Sequence, residues 1–187
     1  KKSQKISTLL KGSYLGQKPP GDKPELFSPG IISSSKNEHS SAVFSPDMKE
    51  VYWCNRYRRD GIPLGEIFFM RCVNGIWSKP QVASFTAMDM VDCNPALTHD
   101  GKRLYFVTCR PTNKIQNYDI WLVNRTDKGW SDPESLGAPV NTEFGDGGPS
   151  VAKNGTLYFF SNRKGGKGGT DLYCSKLTNG RHQEPEN

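Results

Sequence analysis

A self-similarity at a spacing of about 53 residues constrains this chain more than any other feature. Ser45-Pro46-Asp47-Met48-Lys49 matches Thr98-His99-Asp100-Gly101-Lys102, and both match Lys153-Asn154-Gly155-Thr156. Asp47, Asp100 and Asn154 therefore stand 53 and 54 residues apart. Glu66-Ile67-Phe68 matches Asp119-Ile120-Trp121 and Asp171-Leu172-Tyr173, at spacings of 53 and 52. Trp77-Ser78-Lys79-Pro80 matches Trp130-Ser131-Asp132-Pro133, again at 53, and Pro185 follows 52 later. Arg56, Arg110 and Arg163 close equivalent strands at 54 and 53. Four anchors agreeing on one period leave chance a poor explanation.

Each unit reads as four short strands. In the second unit they are about 94–98, 103–108, 118–124 and a strand starting at Trp130. Asp100-Gly101 suits a two-residue hairpin turn, because such turns need positive φ. Lys128-Gly129, Asn74-Gly75 and Asn179-Gly180 mark a second turn in each unit. Leu104 and Phe106 alternate with Tyr105 and Val107, so both faces of this strand are apolar. A sheet buried on both faces lies between two others, and a repeated four-stranded meander of this length is a propeller blade. With 19 Gly and 13 Pro in 187 residues, a helix bundle or coiled coil is excluded.

The run Phe44-Ser45-Pro46-Asp47-Met48-Lys49-Glu50-Val51-Tyr52 resembles the core motif of WD-repeat-like propellers of the TolB type. So does Leu97-Thr98-His99-Asp100-Gly101-Lys102-Arg103-Leu104-Tyr105-Phe106, and Asp119-Ile120-Trp121 and Asp171-Leu172-Tyr173 resemble that family's Asp-Ile-Tyr strand. The resemblance covers residues 24–187. It departs at His99, where Pro is usual, and at Met48, where Gly is usual. Both departures bear on turn geometry. The implied fold is all-β, a propeller of four-stranded antiparallel blades with about three present. Propellers close with four to eight blades. Three leave open sheet faces, so a partial ring is expected, closed by remaining blades or by another chain. Residues 1–24 are expected to be a basic flexible tail, and 25–187 the blades.

Candidate ligand contacts follow from propeller geometry, in which the loops before strand one and after strand two share the face around the central channel. Glu38, Asp92 and Asp146 stand just before strand one at spacings of 54, with His39 and Asn94 beside them. They form either an acidic collar for a basic peptide or cation, or a set of local turn caps. Arg56, Arg110 and Arg163 fall near the same face. They make either one structural Arg–carboxylate bridge per blade or a site for an acidic or glycan ligand. Lys164 and Lys167 lie on a Gly-rich loop able to touch a partner. That loop is not a phosphate loop, because Lys167 is followed by Gly168 and a strand rather than by Ser or Thr and a helix. Trp77 and Trp130 are repeat-equivalent and read as packing between blades.

Several functions are excluded or disfavoured. The longest apolar runs are four residues, such as 67–70, where a membrane span needs about 20. The net charge of +6 is concentrated in the first 25 residues, where six Lys face Asp22 and Glu25, so no basic nucleic-acid-binding face is expected on the blades. The five Cys form no C-x-x-C pair and the three His are scattered, so neither a metal site nor a cofactor is expected. The Cys read as small buried hydrophobes or one disulfide. No catalytic constellation is present, and no G-x-S-x-G elbow.

The expectation is a non-enzymatic scaffold that binds a protein, peptide or glycan partner. The resemblance implies a periplasmic or extracellular place at a bacterial envelope. The alternative is the substrate-gating propeller of a larger serine peptidase or other hydrolase.

Overall fold

The computed structural model describes residues 10–34, 37–38, 40–111 and 117–187, which build three consecutive antiparallel sheets of a β-propeller. The first blade is built on the long hairpin Glu50–Arg59 and Ile62–Val73. Asn37–Glu38 and Val43–Phe44 pair on one side and Gln81–Val82 on the other. The second contains Asp92–Leu97, Arg103–Thr108, Asp119–Thr126 and Glu134–Ser135 in that spatial order. The third contains Asp146–Val151, Leu157–Ser161 and Asp171–Ser175, and a bridge from Cys174 to Glu186 stands where the fourth strand belongs. Among the described residues no helix is long and apolar enough to cross a membrane.

Alternation along strand two explains the stacking, since successive side chains point to opposite faces. Tyr52, Cys54 and Ile67 of the first blade pack with Leu104, Phe106 and Val123 of the second. Tyr105 and Ile120 of the second pack with Leu157 and Phe159 of the third. A ring contact repeats at each interface. Trp130 Nε1 donates to Tyr52 Oη at 3.2 Å, and Tyr105 Oη lies 3.2 Å from His182 Nε2. Burial, with the Glu50 charge beside it, pushes the Tyr52 phenol up to about 12, so it stays protonated and donates to Glu50 at 2.9 Å. Burial would raise the Glu50 carboxyl, but Arg125 of the next blade, Tyr52 and Arg71 hold it below its usual value. The five Cys are all free thiols.

The two ends of the stack differ. Tyr158, Phe160 and Leu172 are 51%, 43% and 76% exposed on the third blade, whereas their equivalents Tyr105, Val107 and Ile120 are buried. At the other end residues 10–32 cover the first blade. Leu15 and Ile32 are buried against Val51, Trp53, Met70 and Trp77. Lys11 bridges to Ile76, and the Trp77 indole donates to the Gly12 carbonyl at 2.8 Å. The expected flexible tail over 1–24 therefore differs from what residues 10–17 do. Their Leu side chains and backbone carbonyls satisfy an apolar face and an indole N–H that would otherwise stay unpaired.

Turn chemistry is partly as expected. Asn74-Gly75 and Asn179-Gly180 are two-residue turns with positive φ at both positions. Asp60-Gly61 is a third. Asp100-Gly101 differs. Thr98 N donates to Arg103 O across a four-residue loop, and only Gly101 has positive φ. Asp100 is an anchor instead, accepting from Thr98 Oγ1 at 2.7 Å and Lys102 N at 3.0 Å. Ser45 and Asp47 repeat this arrangement. The left-handed position is Met48 in the first blade, at φ 57, and Gly101 and Gly155 in the others.

Two stability predictions follow from this packing. Met48→Gly relieves the left-handed Met and raises stability by up to about 1 kcal/mol, read as a melting temperature about 2–4 °C higher. Ile120→Ala costs about 2–5 kcal/mol, while Leu172→Lys at the equivalent exposed position stays within about 0.5 kcal/mol of the parent. Urea denaturation of both variants checks the contrast.

Candidate functional site

The two collar carboxylates that can be located are consumed within the blades. Asp92 and Asp146 are fully buried. Asp92 accepts from the Ala87 N–H at 2.7 Å and from Arg110 at 2.8 Å. Asp146 accepts from the Thr142 N–H at 2.7 Å, from its hydroxyl at 2.9 Å, and from Arg163 at 2.9 Å. Each Arg also binds carbonyls of the incoming connection, Arg110 at Phe85 and Arg163 at Pro139 and Val140. Each guanidinium lies over two rings: Phe106 and Trp121 for Arg110, Phe159 and Tyr173 for Arg163. Burial raises the Asp92 carboxyl, and Thr108, Arg110 and the Ala87 N–H oppose it. Neither carboxylate can touch a ligand, so an open acidic collar at these two positions is corrected to a pair of buried ion pairs.

The Arg series also needs correction. Strand pairing aligns Asn55–Glu66 with Thr108–Asp119 and Ser161–Asp171. Tyr57, not Arg56, is therefore the equivalent of Arg110 and Arg163, and Arg56 aligns with Cys109 and Asn162. A slip of one residue turns a side chain to the other face. Arg110 and Arg163 reach the carboxylates, whereas Arg56 lines a groove and donates to Tyr118 Oη at 3.0 Å. Nor do Arg110 and Arg163 bridge to Asp119 and Asp171, the acidic residues across the loop. Asp171 instead accepts from the Gly168 N–H at 3.0 Å. A Cβ on Gly166 would collide with the same carboxylate, so the Gly-rich loop folds onto it. Lys164 lies over the Phe144 ring at 5.9 Å, and Lys167 is exposed.

The groove is the arrangement best suited to a ligand. It encloses about 370 Å³ between the three blades, at the face carrying the strand two to three loops. Arg56, Asn94, Tyr118, Asn162 and Thr170 supply polar groups, and Cys93, Val107 and Phe160 supply apolar wall. Asn94 sits in a bulge of its strand at φ 53, where the third blade has Gly148 at φ 61. Bulges re-aim side chains. Asn162 Oδ1 accepts from the Gly145 N–H at 2.8 Å, which fixes the amide with its donor side free for the groove. Of the residues expected here, Arg56 and Asn94 line the groove and Arg110 and Arg163 do not. Glu38 pairs its backbone with Asn55, and His39 lies outside the described residues. The sequence reading missed Tyr118, Asn162 and Thr170. Their signal was position alone: Tyr118 just before Asp119, Asn162 one residue before Arg163. Among the described residues no group of three or more His, Cys, Asp or Glu could hold a metal ion.

If the ion pairs are structural, Arg163→Ala strands Asp146 in the interior and costs about 3–5 kcal/mol. The double variant Arg163→Met with Asp146→Asn recovers part of the loss. A urea-denaturation cycle over the parent, Arg163→Met, Asp146→Asn and the double variant measures the coupling.

No protein-family model matches this sequence, and no curated protein matches it. Solved structures do. A TolB-type protein from Agrobacterium tumefaciens matches with a TM-score of 0.50 at 19% identity, covering 79% of this chain and 48% of that one. A puromycin-hydrolyzing peptidase from Mycobacterium tuberculosis matches with a TM-score of 0.55 at 16% identity, covering 78% of this chain and 21% of that one. This chain thus spans about half of the first and about a fifth of the second. At such identities the likeness shows the fold alone: this chain has the architecture of TolB-like and peptidase propeller blades.

Proposed function

We propose that this chain is a non-catalytic propeller scaffold that holds a partner in the groove bounded by Arg56, Asn94, Tyr118 and Asn162. One observation carries the reading. The buried carboxylates of the channel face are already neutralised by Arg110 and Arg163, while the groove beside them is lined by a guanidinium, two carboxamides and two hydroxyls. Such a surface recognises acceptor groups on a peptide or a glycan. Among the described residues that line it there is no paired acid and base for hydrolysis. The propeller also has a structural partner. A further blade, from more of the same polypeptide or from another chain, covers Tyr158, Phe160 and Leu172 as the second and third blades cover their equivalents. The TolB likeness supports an envelope location, periplasmic or extracellular.

The peptidase likeness supports a second reading, in which the same groove screens substrates for a hydrolase domain. One experiment separates the two. Immobilised protein is challenged with separate peptide and oligosaccharide pools, and the retained fraction is weighed by mass spectrometry. The scaffold reading expects a component retained and released at unchanged mass, with retention lost in Arg56→Gln. Cleaved products, or equal retention by Arg56→Gln, would overturn it.

A further inference from the structure

Two thiols meet where the first blade touches the second. Cys54 lies on strand two of the first blade and packs into the core shared with the second. Its Sγ donates to the Asp92 carbonyl at 3.4 Å, and Cys93 is the next residue along that strand. The two thiols are also hydrogen-bonded to each other. We propose that Cys54 and Cys93 form a dithiol site, oxidised by peroxide to a disulfide that ties the two blades together. The fold does not itself call for sulfur here. Strand pairing makes Val107 the equivalent of Cys54 and Gly147 the equivalent of Cys93. The contact between the second and third blades therefore has no thiol at either position.

The two sulfurs are not equivalent. Cys93, though only 2% exposed, lines the groove of about 370 Å³, which gives a small oxidant a route to it. Cys54 is fully buried behind it. The Cys54 hydrogen bond holds the Cys93 thiol below its usual value, against burial and with help from the Arg56 charge. The same contact, together with burial, pushes the Cys54 thiol up. The thiolate is the nucleophile in such chemistry, so Cys93 reacts first. Its sulfur bonds to one peroxide oxygen, the O–O bond breaks, and the other oxygen leaves as water with the Cys93 proton. The Cys54 sulfur then attacks the Cys93 sulfenic acid. The S–S bond forms, the S–O bond breaks, and the hydroxyl leaves as water with the Cys54 proton. Two thiols are oxidised and one peroxide is reduced to two waters. A covalent S–S bond is shorter than a hydrogen-bonded contact, so the strands draw together and the groove wall at Cys93 moves with them. No ligand takes part, so the site is independent of what the groove binds.

The test treats the reduced, folded chain with hydrogen peroxide near neutral pH. Remaining thiols are then blocked, and linked peptides are mapped by mass spectrometry. The expected product is lower in mass by two hydrogens, with Cys54 joined to Cys93 and the other three thiols blocked. Dithiothreitol is expected to reverse it. Cys54→Ala is expected to stop at a Cys93 sulfenic acid that dimedone captures, and Cys93→Ala to leave Cys54 unoxidised. Circular dichroism checks that both variants fold, and the parent protein decides the pairing without them. A link joining any other two thiols overturns the proposal, as does Cys93 sulfinic acid without a link. Dimedone capture at Cys54 in the Cys93→Ala protein overturns it too. So does recovery of both thiols unchanged at peroxide concentrations that oxidise the half-buried Cys174.

Discussion

Burial of each sheet on both faces is the constraint on which the rest of this molecule depends. No single blade can hide Tyr52, Cys54 and Ile67 on one side and Val51, Trp53 and Met70 on the other. The next blade covers the first set, and residues 10–32 cover the second. The 53-residue period is the sequence trace of this requirement. It places a Tyr at one face and an N–H-bearing ring at the other, so that Tyr52 meets Trp130 and Tyr105 meets His182. The contacts are small in area but polar and partly buried, so they help fix which blade sits against which. The Glu50 carboxylate adds a charge-assisted tie from the first blade to Arg125 of the second.

A second repeated device fixes the top of the blades. An Asp at the start of strand one receives an Arg from the end of strand two, and that Arg also binds the carbonyls of the connection arriving from the previous blade. Removing a charge pair from water is costly unless the remaining donors and acceptors are met. Here backbone N–H groups and carbonyls meet most of them, and aromatic faces flank the guanidinium. Charges that look available in sequence at Asp92, Asp146, Arg110 and Arg163 serve the fold.

The fold was legible because period, alternation and turn residues all point the same way. The match of Glu66, Asp119 and Asp171 survives intact in the strand register. The site was legible only in part. Arg56 stands 54 before Arg110, a spacing that passes for equivalence in a repeat whose anchors already vary between 52 and 54. The first blade replaces the long loop by the tight Asp60-Gly61 turn, so its strands run on past the ends seen in the other blades. Nothing in the spacing reveals that one-residue offset, yet it sends Arg56 to the opposite face. Burial of Asp92 and Asp146 was equally hidden, since a carboxylate before a strand reads the same whether it faces solvent or an Arg. Tyr118, Asn162 and Thr170 carry no motif at all. Only the approach of three blades makes them neighbours.

The covered end of the stack follows from the same logic as the interfaces. Trp130 finds a hydroxyl on the preceding blade, and Trp77, its repeat-equivalent, finds none because no blade precedes it in this chain's described structure. The Gly12 carbonyl takes that role, Leu10 O accepts the Trp77 N–H, and Leu15 fills the apolar space beside the indole. A short segment with a left-handed turn at Tyr14 and Leu15 can do this because it needs to supply only one acceptor, a few backbone bonds and two aliphatic side chains. The opposite face, with Tyr158 and Leu172, asks for a complementary surface of the same kind: an apolar face with a ring nitrogen or other polar group set to meet a Tyr hydroxyl.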